Sequence, residues 1–418
     1  MTKKIMGSVV LAGLLVSAAQ AVEVTPFGKV GVMGNFGFGD ANTLAGKSLT
    51  GYVGVVGQVG VDFNFSGFKL GLGAMAGYAP LTIGAGGDFT NNAFVGHGGK
   101  LFASPYVDLS DLYVGYQGSG LDFALGRYNA SKILATAEWI GGHNQGFALA
   151  YQSQYFGIWG TWVNDWLRDG YNASASLKSG ADGRYGMDIS GFGKYPSSWN
   201  NFGFNNELFA LGLDFKFGEH VSLSPYAQYW SKVGNHDVLQ AGARAIFDFD
   251  LGAVKSTTTL RGLWSHFFAS GANGFMWQVD EELLFVDMIK LGGGYLSIGK
   301  LGLKDTTLVD RTRFYGQYLY PGVGLNGLNG NGVYNGTGLN RGYLNAGVDT
   351  WYVFTGLKLG ETLDFDVLYA GGDYKEFSAI INYNILSSGN LVWSVGGGFV
   401  SNGFGNANSG LAFTKLKF

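Results

Sequence analysis

Apolar and polar residues alternate one by one along most of this chain. Between 53 and 65, Val53, Val55, Gly57, Val59, Val61, Phe63 and Phe65 fall on one side. Tyr52, Gly54, Gln58, Gly60, Asp62 and Asn64 fall on the other. Successive side chains of a strand point to opposite faces of its sheet, so each such segment has one greasy face and one wet face. The period recurs in 24–36, 51–65, 68–78, 106–117, 121–128, 146–153, 155–164, 206–217 and 221–230. It continues in 238–249, 254–266, 275–286, 289–299, 351–359, 363–370, 375–386, 391–400 and 410–418. This pattern predicts an all-β fold, a transmembrane antiparallel barrel of about 18 strands within a range of roughly 16–20. The weakly alternating segment 171–195 would supply one more hairpin if the count were twenty.

The connections alternate too. Ser66-Gly67, Gly118–Gly120, Gly218–His220, Gly360-Glu361 and Ser387–Gly389 are tight turns, whereas 37–50, 79–105, 129–145, 165–205 and 300–350 are long. Bacterial barrels have short periplasmic turns and long extracellular loops, which predicts a multi-pass outer-membrane protein with both termini in the periplasm. At the amino end, Lys3 and Lys4 precede an apolar run over 5–16 and the small-residue box Ala19-Gln20-Ala21. That order predicts a cleaved signal peptide over 1–21, with 22–418 forming a single barrel domain.

Composition sharpens this picture. Charged residues are 14%, aromatic residues 16%, and 72 of 418 residues are Gly. Low charge with abundant aromatic rings suits a surface that faces lipid between aromatic girdles. A formal net charge of −3 with no basic tract gives no reason to expect nucleic acid as a partner. Zero Cys excludes disulfides and thiolate metal sites.

Outward faces are clearest at Phe209, Leu211, Leu213, Phe215 and Phe217, and at Leu363, Phe365, Val367 and Tyr369 with lumenal Asp364 and Asp366 between them. One place breaks the rule: Glu281 falls in line with Trp277, Val279, Leu283 and Phe285. A β-bulge that turns it inward is the expected remedy. On the inner face, Arg244, Lys255 and Arg261 take neighbouring positions. A hairpin centred near 270–271 would set Arg261 almost opposite Asp280 as a cross-strand charge pair.

Eighteen strands enclose more room than side chains fill, so an aqueous channel is expected unless something plugs it. The candidate constriction is the loop 129–145. Lys132, Glu138 and His143 are its ionisable groups, and Ile133, Leu134, Trp139 and Ile140 would anchor it to the inner wall. Arg127 follows the outward parity of Leu121, Phe123 and Leu125 but lies near the strand's outer end, where it would snorkel or turn into the mouth as pore lining. Gly322–Gly327 fits G-x-G-x-x-G, but no strand and helix flank it, so it is read as chance. His97, His143, His220, His236 and His266 lack metal-ligand spacing, and no metal or other cofactor is expected. Ser265 and His266 are adjacent in a strand and point to opposite faces, so they form no catalytic pair with each other. No catalytic residue and no enzyme activity are expected.

Two stretches carry a family resemblance. Leu125-Gly-Arg-Tyr-Asn129, the loop through 145 and Gly146-Phe-Ala-Leu-Ala-Tyr151 together resemble the fifth strand, third loop and sixth strand of OprD-type porins. The Gly-rich, low-charge style is also similar to the Hof-type outer-membrane family of Helicobacter and relatives. The terminal Phe418 on an amphipathic last strand resembles the mark that the barrel-assembly machinery reads. The resemblance implies an eighteen-stranded pore, monomer or trimer, whose third loop folds inward. OprD-type channels guide carboxylates along a ladder of arginines, and here the inward basic residues look few. The expected function is therefore an outer-membrane porin for passive diffusion of small hydrophilic solutes, among outer-membrane lipids and lipopolysaccharide. The alternative is a surface-exposed adhesin that uses the barrel as a platform.

Overall fold

The computed structural model describes residues 22–38, 43–44, 47–48, 51–83, 106–134, 136–137, 140, 143–168, 171–172, 207–231, 237–301, 313–314, 343, 346–401 and 408–418. The alternating segments form the strands β1 Glu23–Phe38, β2 Gly51–Phe65, β3 Phe68–Ile83, β4 Tyr106–Gly118, β5 Leu121–Asn129 and β6 His143–Gln152. Next come β7 Phe156–Arg168, β8 Leu208–Phe217, β9 Val221–Trp230, β10 Val238–Asp250, β11 Val254–Phe267 and β12 Ala272–Phe285. The wall is completed by β13 Ile289–Ile298, β14 Asp349–Leu359, β15 Leu363–Gly372, β16 Glu376–Ser388, β17 Leu391–Val400 and β18 Asn408–Lys417.

Each strand pairs antiparallel with the next, and β1 pairs with both β2 and β18, so the sheet closes on itself without a free edge. At the seam Lys29 lies between Gln58 of β2 and Lys417 of β18, and the Gly28 and Phe418 backbones exchange hydrogen bonds of 3.0 Å. Closure is what lets every wall amide find a partner in hydrocarbon. Strand β7 pairs directly with β8, with Val163 opposite Leu208. That contact leaves no place in the wall for a hairpin from 171–195. Tyr171-Asn172 merely extends the end of β7, and the rest of that segment lies outside the described residues. Eighteen is the wall count.

The two faces separate as the alternation requires. Val59, Leu72, Val114, Leu125, Leu211, Val353 and Tyr369 are exposed on the outside, while Gln58, Asp111, Gln240, Gln278 and Asp280 on the inside are buried. Near the tight turns the outward rings gather into a belt. Phe65 stacks on Phe68, Phe68 meets Tyr116 edge-on at 5.2 Å, and Tyr116 stacks on Phe123.

The expected bulge at Glu281 is absent. β12 pairs without interruption with β11 and β13, and Glu281 keeps its outward position. Its carboxylate instead accepts hydrogen bonds from two outward hydroxyls of β11, Ser256 Oγ at 2.6 Å and Thr258 Oγ1. Thr258 is its direct cross-strand neighbour. The neighbouring strand, not a kink in its own, satisfies this acid.

Candidate functional site: the loop and the inner wall

The connection after β5 begins with a 3-10 turn over Ala130–Lys132, whose second amide group is capped by Asn129 Oδ1 accepting from Ser131 N. Ala130, Leu134, Ala137 and Ile140 are buried, so the apolar side of the loop packs rather than facing water. Its polar groups reach inward-facing residues on distant strands. Lys132 Nζ pairs with Asp62 of β2 at 3.0 Å and lies 4.5 Å from the Phe27 ring centroid. Thr136 Oγ1 donates to Asp214 Oδ2 of β8 at 2.9 Å, and the Thr136 carbonyl accepts from Arg244 of β10 at 3.3 Å. Tyr113 of β4 also donates to Asp62, at 2.8 Å. One short loop thus touches the inner faces of β2, β8 and β10.

The other residues expected in this loop separate. His143 is the first residue of β6 and is only 2% exposed. Its Nδ1 is 3.5 Å from Asp111 Oδ2, and its Nε2 is 3.2 Å from Gln58 Nε2, in a buried group that includes Ser110. His143 therefore offers solute no surface; it belongs to the packing beneath the loop. Glu138 and Trp139 lie outside the described residues.

Arg127 is not open pore lining either. It is 5% exposed, donating to the Leu109 carbonyl at 2.8 Å and to Gln145 Oε1 at 3.0 Å. The cause is Gly126, with φ of +117°, directly opposite Gly146 with φ of +146°. At each, an added Cβ would come within about 2 Å of a carbonyl oxygen of the adjacent strand, Leu112 O and Trp162 O. The pairing of β6 with β7 shifts register here, between Gln145 and Gly146, and parity counted from below no longer holds above.

On the opposite wall the register differs from expectation by two. Arg261 faces Gln278 at 3.5 Å, and Thr259 faces Asp280. No Arg261–Asp280 pair forms. Arg261 stands instead directly across from Arg244 on β10, so two inward cations meet the bore side by side where Arg244 holds Thr136. Lys255 lies lower, pairing with Asp287 of a tight turn at 2.7 Å, and both are well exposed.

Asp280 is covered by a residue that alternation could not reveal. Arg313, from the connection after β13, binds both Asp280 oxygens at 2.7 Å and Glu282 at 2.8 Å. Its neighbour Phe314 is fully buried among Tyr343, Tyr352 and Tyr374, with ring centroids 5.0–5.3 Å apart. Nearby, Lys290 pairs with Asp364 and with Asp366 at 2.5 Å. Three further lysines, Lys29, Lys415 and Lys417, share the inner face of the seam. They were overlooked because β18 turns Leu411 and Phe413 inward as well, which inverts the hydrophobic cue. Among the described residues no group of His, Asp and Glu could hold a metal ion.

No family model and no curated protein sequence matches the chain. Solved structures do. Acinetobacter baumannii OccAB1 superposes with a TM-score of 0.63 at 10% identity, over 96% of this chain and 97% of that one. Pseudomonas aeruginosa OccK8 (OprE) gives 0.60 at 11% identity, over 95% and 98%. The P. aeruginosa outer membrane protein OpdK gives 0.56 at 11%, over 94% and 98%. The fold is that of these barrels. At such identity the likeness establishes architecture, and the roles of side chains rest on the contacts above.

Proposed function

We propose that this chain is an outer-membrane porin, a water-filled channel for passive diffusion of small hydrophilic solutes, narrowed by the loop after β5 folded into its bore. The observation that carries the reading is the set of contacts from Lys132 and Thr136 to Asp62, Asp214 and Arg244. These partners stand on inward faces up to eight strands apart in a closed wall of eighteen, so a loop meeting all of them runs across the lumen. A barrel of this size retains an aqueous path unless plugged, and solutes are then sorted by the free diameter and by the charges lining it. Arg244 and Arg261 beside the loop, with the lysines of the seam toward the tight-turn end, would set much of that lining charge.

The same reading places the tight turns and both termini in the periplasm, after cleavage of residues 1–21, and assigns Phe418 as the assembly signal in a monomer or trimer. Purified protein in planar bilayers tests the central claim. Stable current steps are the expected result, and an electrically silent, folded barrel would instead favour a surface-binding platform.

A further inference from the structure

Arg313 sits where a solute group could sit. Asp280 grips its guanidinium through two bonds of 2.7 Å, Glu282 approaches at 2.8 Å, and the Phe354 ring lies under it with its centroid 3.8 Å away. Behind Asp280, Tyr352 Oη donates to the carboxylate at 2.6 Å, and Gln278 donates to Tyr352 at 2.7 Å. The wall strands β12 and β14 therefore hold a carboxylate fixed in a two-pronged pose, a second carboxylate beside it and an aromatic face. That combination complements a flat, forked guanidinium far better than a compact ammonium. Arg313 closes the box incompletely, since its side chain is 32% exposed and that of Glu282 is 27% exposed. The acids Asp364 and Asp366 lie near it on the same inner surface, partly neutralised by Lys290.

We propose that this box is a guanidinium-binding subsite on the bore, and that Arg313 is its internal occupant. Access to it rests on the porin reading. A solute that carries a guanidinium competes with Arg313 for Asp280, against an effective concentration of roughly millimolar order set by the tether. Phe314 stays packed among Tyr343, Tyr352 and Tyr374 independently of this contact, so displacement moves the Arg313 side chain rather than the backbone that carries it.

The test compares methylguanidinium with methylammonium, two small monocations, as blockers of single-channel current through R313A. The vacated box is expected to respond to methylguanidinium at a concentration at least about tenfold lower than to methylammonium. Adding D280N should erase that difference. R313K keeps the positive charge but lacks the fork, and it should show the same preference more weakly; it serves if R313A fails to assemble. Equal potency of the two cations on a conducting R313A or R313K channel overturns the subsite and leaves Arg313 as a structural anchor. A wild-type barrel that passes no current sinks the porin reading instead.

Discussion

Glu281 offers the most direct trial of the outward face. Its carboxylate stands among Trp277, Val279 and Leu283, with the hydroxyls of Ser256 and Thr258 as partners. A carboxylate facing hydrocarbon costs on the order of 1–2 kcal/mol, less than Arg or Lys at the same depth. Hydrogen bonds to a charged acceptor contribute about 1.5–3 kcal/mol each, so the two hydroxyls more than offset that cost. Removing them as S256A/T258V while Glu281 remains should destabilise the barrel by about 3–5 kcal/mol. In an E281L background the same pair should cost less than about 1 kcal/mol, because the hydroxyls then bond only to nearby carbonyls. E281L alone should fall within about 1 kcal/mol of wild type, the lost acid compensating for the lost bonds. The resulting coupling is about 3 kcal/mol, well beyond additivity. Urea unfolding in phospholipid vesicles, followed through the ten tryptophans, measures all four variants. Equal cost of the hydroxyl pair in both backgrounds, within about 0.5 kcal/mol, would refute the geometry and return Glu281 to an inward-turned bulge.

Three further outcomes are expected. D62N removes the charge that both Lys132 and Tyr113 engage, so the loop should loosen and single-channel conductance should rise; unchanged conductance would mean that this end of the loop does not limit flow. R244A and R261A each take a cation from the loop-side wall and should move the reversal potential in a salt gradient toward cation preference, whereas an unmoved potential removes both from the filter. G126A forces a Cβ against the Leu112 carbonyl at φ of +117°, and a loss of at least about 1 kcal/mol is expected by the same unfolding assay, more if the wall cannot shift.

The strands were legible because lipid outside and water inside write the period of two directly into the sequence; all eighteen predicted segments became wall strands. Register was less legible. The hairpin between β11 and β12 turns through 268–271, with Phe267 opposite Ala272, one residue earlier than the predicted centre. Because partners on two antiparallel strands move in opposite directions about a turn, a displacement of one half-step on each strand for every half-residue at the centre sums to two positions. That error produced the false Arg261–Asp280 pair; the needless bulge came from reading β12 alone, whereas Ser256 and Thr258 on the neighbouring strand satisfy Glu281 where it stands. Arg127 failed for a different reason, and His143 left the loop because β6 begins at residue 143 rather than 146. The opposed glycines 126 and 146 break the parity there, and a lone glycine in so Gly-rich a chain gives no warning of positive φ. Arg313 lay beyond reach altogether, because a long connection carries no periodicity to say which of its residues returns to the wall.

These contacts divide the inner wall by charge. On the side of β2, β4 and β8, the loop is held by groups whose charges are largely matched within the site, Lys132 with Asp62 and Arg127 sheltered from solvent. On the side of β12 to β15, acids still exceed bases, because Asp280, Glu282, Asp364 and Asp366 are set against Arg313, Lys290 and Lys358, the last directly across from Asp364. At the seam, Lys29, Lys415 and Lys417 lie together on one face. Opposite signs on different sectors of one lumen make a field across the path rather than along it. Such a field orients a solute that has both a positive and a negative end, and it discriminates by dipole as well as by net charge. The arginine that covers Asp280 then controls the strength of the acidic side: seated, it leaves a modest excess of negative charge, and displaced, it bares a carboxylate and deepens the field. Selectivity in this barrel would therefore depend on whether Arg313 is seated, a variable that a fixed ladder of wall cations does not have.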